Sequence, residues 1–176
     1  EFALPPFAQI KDEDFAPAFD AALTEARDNI ALIVTQPEVT FANTIEAMEL
    51  AEALLDRVAG VFYNLAGADS TPSREALQRD LAPKMSAFSS EVTNNKALFA
   101  RIEALWQRRE DLDLSAEQAR VLELYRQMFV RSGAQLQGDE AERLTQVKAR
   151  LAVLGTQFSQ NLLADERSWF MPLAAE

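Results

Sequence analysis

The sequence predicts an all-α protein of about six helices packed as a bundle-like domain, and three observations predict it. Ala, Leu, Glu, Gln and Arg are abundant, and these residues lose little side-chain freedom in a helix. Glycine (5) and proline (7) are scarce among 176 residues. Apolar residues recur at intervals of three and four, and no useful run alternates with the period of a strand. With 48% apolar residues, the chain is expected to fold around a real core as one domain. No internal repeat and no low-complexity linker interrupts it.

Each element has its own signal. Leu4-Pro5-Pro6-Phe7 reads as an extended entry segment, anchored on the core by Phe7 and Ile10. A first helix starts between Asp12 and Pro17, because proline is tolerated in a first turn. Its apolar face is Phe15, Phe19, Leu23, Ala26, Ile30 and Ile33, and it ends near Gln36-Pro37. Asn43-Thr44-Ile45-Glu46 reads as the second start, with Asn43 as the cap and Glu46 reaching back. Ile45, Met48, Leu55, Val58, Phe62 and Leu65 form its stripe, and Gly67 is the expected stop.

Thr71-Pro72 opens a third helix carrying Leu77, Leu81, Met85, Phe88 and Val92, with a kink expected at Pro83. Asn94-Asn95 marks a break. A shorter helix follows with Leu98, Phe99, Ile102, Leu105 and Trp106. Ser115-Ala116-Glu117-Gln118 is a capping-box pattern that opens a helix through Val121, Leu122, Tyr125, Met128 and Phe129, ending near Gly133. Asp139-Glu140-Ala141-Glu142 opens the last long helix, whose stripe is Leu144, Val147, Leu151, Leu154, Phe158 and Leu162. Burial of each such side chain is expected to contribute about 1.5–3 kcal/mol as an upper bound.

The net charge of −11 argues against nucleic acid, since phosphates are bound by Lys/Arg surfaces. It argues equally against anionic membranes. Apolar runs such as Ile30 to Val34 are far shorter than the ~20 residues a bilayer requires. There is no cysteine, hence no disulfide framework, and no histidine, hence no H-E-x-x-H motif and no His-based triad. The absence of cysteine and of a visible signal peptide favours a cytoplasmic location. The chain begins at Glu1 and ends on Met171-Pro172-Leu173-Ala174-Ala175-Glu176, and both ends read as cuts.

Three constellations invite chemistry. Glu46, Glu49, Glu52 and Asp56, spaced three, three and four apart, place carboxylates near one helix face. Di-iron bundles use such carboxylates together with histidine, which is absent here, so a solvated acidic face is the preferred reading. Trp106-Gln107-Arg108-Arg109 puts two cations beside an aromatic ring, and a helix C-terminus is where such cations are favoured. Phe7, Phe15, Phe19, Phe41, Phe62, Phe88, Phe99, Phe129 and Phe158 could line a channel, but core is the preferred reading. On the residues alone, this is an acidic all-α domain without autonomous catalysis.

An ordered set of short strings adds to this. They are Leu4-Pro5-Pro6-Phe7, Asp14-Phe15-Ala16-Pro17-Ala18-Phe19, Phe41-Ala42-Asn43-Thr44-Ile45-Glu46-Ala47, Leu54-Leu55-Asp56-Arg57-Val58 and Val61-Phe62. Then come Leu98-Phe99-Ala100-Arg101-Ile102, Trp106-Gln107-Arg108-Arg109-Glu110, Phe129-Val130-Arg131-Ser132-Gly133-Ala134 and Phe158-Ser159-Gln160-Asn161-Leu162-Leu163. Together they resemble the N-terminal helical region of the thimet oligopeptidase, oligopeptidase A and peptidyl-dipeptidase (dipeptidyl carboxypeptidase) family of zinc metallopeptidases. The Trp106 string is most similar to the peptidyl-dipeptidase branch. Asp14 departs from the pattern, as many relatives carry histidine there.

The resemblance implies one lobe of a two-lobed, all-α peptidase acting on short peptides in a deep channel. It implies zinc held by two histidines of an H-E-x-x-H helix and a downstream glutamate, with the motif's glutamate activating a zinc-bound water. None of these residues lies in this chain. No catalytic, cofactor-binding or metal residue is carried over, and zinc is expected in the parent enzyme only. The expected partners are short peptides and the parent's missing catalytic domain. Residues 1–176 are then a single helical N-terminal domain that gates substrate without catalysis of its own. The alternative is a stand-alone acidic helical protein-interaction module, and a metal-binding bundle on the Glu46 stripe is a third reading.

Overall fold

A computed structural model describes residues 4–169 and is all-α, with no strand among the described residues. Glu1 and the terminal string Met171-Pro172-Leu173-Ala174-Ala175-Glu176 lie outside the described residues. The helices are α1 (Asp12–Thr35), α2 (Ala47–Ala51), α3 (Ala53–Ala68), α4 (Pro72–Thr93), α5 (Lys96–Gln107), α6 (Ala116–Ser132) and α7 (Gly138–Ser168). A π-helical turn, Ala42–Glu46, precedes α2, and a 3₁₀ turn, Arg109–Asp111, follows α5. Two compact units form, one up to Ala134 and one from Gln135 onward.

The first unit is built around α1. Phe15, Phe19, Leu23, Ala26, Ile30 and Ile33 are all buried, as their spacing predicts. Helices α2, α3, α4 and α5 pack against α1, and α6 packs on α5 and α4. Phe62 from α3 meets Phe15 and Phe19 edge-on, with ring centroids 5.1 and 5.5 Å apart. Ile102, Leu105, Leu122 and Phe129 complete the core between α5 and α6.

The entry segment is not fully extended. Phe7 donates its N–H to the Pro5 carbonyl and Gln9 to that of Pro6, which forms a turn. Ile10 packs on the core, whereas Phe7 is exposed and does not anchor it. Asp14 then accepts the Lys11 N–H at 2.9 Å and so caps α1. Asp12, in the same turn, accepts from Ser73 and Arg74 at the start of α4. Those hydrogen bonds hold the Asp12 carboxyl below its ordinary range.

The second helix differs from expectation in three ways. Its start lies earlier: Thr40 and Asn43 exchange hydrogen bonds, Thr40 N–H to Asn43 Oδ1 and Asn43 N–H to Thr40 Oγ1, at 2.9 and 3.1 Å. Thr40 therefore plays the capping part assigned to Asn43, and Glu46 stays exposed. The helix is also broken at Glu52, whose backbone leaves helical geometry (φ −105°, ψ 12°). Asn29 of α1 donates to the Ala51 carbonyl at 3.0 Å, satisfying an acceptor at that break. Finally, Gly67 does not stop the chain, because α3 continues to Ala68.

Thr71 caps α4 by accepting the Arg74 N–H, and Pro72 takes the first position, where its missing N–H costs nothing. The helix stays one element across Pro83. Asn95 caps α5 through the Leu98 N–H. The capping box at α6 forms as its sequence predicts, with Ser115 Oγ accepting from Gln118 and Gln118 Oε1 accepting from Ser115. Gly133 ends α6 in the left-handed region (φ 99°), which other L-residues adopt at a cost. Ser115→Ala is expected to lower stability by about 1 kcal/mol, read as a lower urea midpoint with an unchanged slope.

In the second unit, α7 carries the anticipated stripe at helical spacing, but not as buried core. Val147, Leu151, Leu154, Phe158 and Leu162 are exposed, Phe158 by 69%. Periodicity identifies an apolar face; it does not supply a neighbour to cover it.

Candidate functional site

The acidic stripe resolves into three different environments. Glu46 is exposed at the end of the π-helical turn. Glu49 accepts the Tyr125 hydroxyl at 2.6 Å, which ties α2 to α6. Burial, then the hydrogen bond to Glu49, then repulsion from Glu49 and Glu52, push the Tyr125 phenol above its usual value. Glu52 is half-buried at the helix break, and burial, then repulsion from Asp56, raises its carboxyl above the ordinary range. The four carboxylates therefore do not act as one face. Among the described residues, no three Asp or Glu side chains converge to hold a metal.

The raised Glu52 carboxyl has a consequence for stability. An acid with a folded pKa above its unfolded value penalises the native state once both states ionise. The penalty grows as pH rises through the unfolded and then the folded pKa, and it is absent at lower pH. Glu52→Gln is expected to stabilise the chain at pH 7 and to lose that advantage as pH falls below the carboxylate range. Paired urea melts of the two proteins at both pH values test this.

The aromatic-basic string also has a defined geometry. Arg109 lies over the Trp106 ring, 4.3 Å from its centroid, and Arg126 of α6 lies 5.0 Å from the same ring. Arg109 donates to the Trp106 carbonyl at 2.9 Å in the last turn of α5, which matches the C-terminal reading of that cation. Arg108 donates to the Val39 carbonyl. Arg126 pairs with Glu103 at 2.8 Å. The ring is thus a clamp between α5 and α6.

The phenylalanines divide. Phe15, Phe19, Phe62, Phe88 and Phe129 are buried and Phe41 and Phe99 partly so, which leaves Phe7 and Phe158 exposed. An apolar cavity of about 620 Å³ does exist, between the entry segment, α1 and α3; Pro6, Phe15, Val58 and Val61 line it, with Arg57.

Sequence reasoning passed over Arg101. It is only 6% exposed and donates to the carbonyls of Gln36 and Glu38, both at 2.7 Å. It also reaches Asn43 Oδ1 at 2.9 Å and Thr44 Oγ1 at 3.3 Å. Among the described residues no carboxylate pairs with it, and burial lowers its pKa. Position 101 follows Leu98 by three and precedes Leu105 by four, so periodicity placed it beside the core face.

A zinc centre of the kind the resemblance implies does not fit these residues. The sequence has no histidine and no cysteine, and the described carboxylates do not converge. No serine or threonine has a histidine to activate it. No helix among the described residues is long and apolar enough to cross a membrane.

No protein-family model matches the chain. Individual relatives do. It is 36% identical over 168 residues to a dipeptidyl carboxypeptidase of Salmonella typhimurium and 35% identical over 168 residues to that of Escherichia coli. Each alignment covers 95% of this chain and 25% of the relative. It is 33% identical over 167 residues to oligopeptidase A of Haemophilus influenzae, covering 94% of this chain and 24% of the relative. The chain thus spans about a quarter of the length of these relatives. The kinship read from the short strings is borne out along nearly the whole sequence.

Proposed function

We propose, with kinship to the dipeptidyl carboxypeptidases and oligopeptidase A as the premise, that this chain is the substrate-gating helical part of a longer zinc-dependent oligopeptidase. The observation that carries the reading is the alignment over 95% of the chain with dipeptidyl carboxypeptidases. The lack of histidine and cysteine in the sequence, and of converging carboxylates among the described residues, supports placing the chemistry in the remainder of the parent. The peptidyl-dipeptidase kind is favoured over the oligopeptidase A kind because its relatives are the more similar of those compared. In this reading the helices form a wall that admits short, unfolded peptides and excludes folded proteins.

The test is an assay of the protein encoded by the complete gene. It is expected to release dipeptides from the C-termini of short peptides, to lose activity to a chelator and to regain it with zinc. The 176-residue chain alone is expected to be inert. Equal trimming of a folded protein with the same C-terminal residues would remove the gating part and leave the peptidase part. A reading frame that closes at Glu176 would remove both.

A second reading, a stand-alone interaction module, draws on the exposed apolar stripe of α7. Both readings expect the isolated chain to self-associate. Phe158→Asp is expected to reduce that association in sedimentation runs, and a clean monomer at high concentration would contradict the expectation.

A further inference from the structure

Glu52 carries chemistry that the peptidase reading does not use. It borders a cavity of about 280 Å³ between α1, α2, α4 and α6, walled by Ile30, Met48, Val92, Leu124 and Met128, with Tyr125 beside it. Leu124 and Met128 are exposed at the mouth, although their neighbours on α6, Leu122 and Phe129, are fully buried. The Tyr125 hydroxyl gives its one proton to Glu49, so it has none for Glu52. No basic side chain pairs with Glu52 among the described residues. A half-buried carboxylate is thus held at an apolar opening without a counter-ion.

We propose that this cavity receives one lysine side chain of a peptide or protein partner, its stem against Met48, Leu124 and Met128 and its ammonium at Glu52. The inference stands independently of the peptidase reading. Size favours a single side chain, because pockets for whole small molecules span roughly 300–1,000 Å³. Lysine suits the walls: its four-carbon stem lies on apolar surface while its charge reaches a polar group. Methionine adapts its shape to such a stem. The ammonium supplies the missing charge, and a net charge of −11 draws cationic segments toward the surface. A neutral aliphatic chain of the same length would fill the walls and leave the carboxylate unpaired.

Methionine methyl resonances of the 176-residue chain provide the test, because Met48 and Met128 line the cavity and Met85 does not. The probe is the blocked tripeptide Ala-Lys-Ala, compared with its norleucine analogue. The lysine peptide is expected to shift Met48 and Met128 saturably, to leave Met85 in place, and to bind about tenfold more tightly than the norleucine peptide. Glu52→Gln is expected to abolish the difference, so that the lysine and norleucine peptides bind that variant equally. The gain in stability expected for that variant at pH 7 keeps it folded and the comparison valid. The proposal is overturned by any of three results: no saturable shift, equal binding of the two peptides, or lysine selectivity that survives in Glu52→Gln.

Discussion

Replacing Phe62 with alanine is expected to lower the stability of the first unit by about 3–5 kcal/mol, the range for deleting a fully buried aromatic side chain. Phe62 is 0% exposed and lies where α3 packs on α1. Its ring meets three others edge-on: Phe15 at 5.1 Å, Phe19 at 5.5 Å and Tyr63 at 5.1 Å. Edge-on aromatic pairs contribute about 0.5–1.5 kcal/mol beyond the area they bury. The surrounding side chains come from two long helices and cannot collapse fully into the space left behind. A domain of ordinary stability, about 5–15 kcal/mol, would lose a large share of it. Phe158→Ala is the matched control, because that ring is 69% exposed, and a change within about 0.5 kcal/mol is expected. Guanidinium melts of the two variants make the comparison, and similar losses would contradict the packing described for α1 and α3.

The contrast between Phe62 and Phe158 shows what sequence could and could not decide. Both sit on apolar stripes of helical period, so their helices were legible. Which stripe is covered depends on tertiary neighbours, and for α7 the sequence pattern is as good as for α1. The caps at Ser115, Thr71 and the Gly133 stop were legible because they rest on bonds between residues within a few positions of each other. Asn43 shows the limit of that logic. Asn43 and Thr40 are both good capping residues, and Thr40 lies three residues upstream, where it forms the box one turn earlier. The break at Glu52 was not legible, since neither proline nor glycine marks it; it coincides with a hydrogen bond from Asn29, far away in sequence. The separation of Glu49 from Glu52 was hidden for the same reason. Tyr125 and the cavity walls come from α6, which spacing along one helix cannot report.

Arg101 supplies the other large expected effect. Arginine is seldom so buried without a carboxylate, and here its guanidinium is satisfied by neutral oxygens. Those acceptors all lie between Gln36 and Thr44, the segment that links α1 to the π-helical turn and α2. That segment has little regular structure of its own before Ala42, so one planar, five-donor group fixes its path. Arg101→Met keeps the stem and removes the donors. It is expected to cost about 2–4 kcal/mol, because two carbonyls and the fully buried Thr44 hydroxyl lose a charged partner. Arg101→Lys retains the charge but presents a point donor that cannot span the same oxygens, so most of the loss is expected to persist. The two variants separate shape from charge. If lysine restored full stability, charge alone would hold the segment, and the forked geometry would be incidental. Amide exchange adds a local readout. Protection of Asn43 and Thr44 is expected to fall in both variants before that of α5 and α6, since the linker opens while the helices that carry the core remain packed. Uniform loss across all helices would mean instead that Arg101 acts through the core it borders.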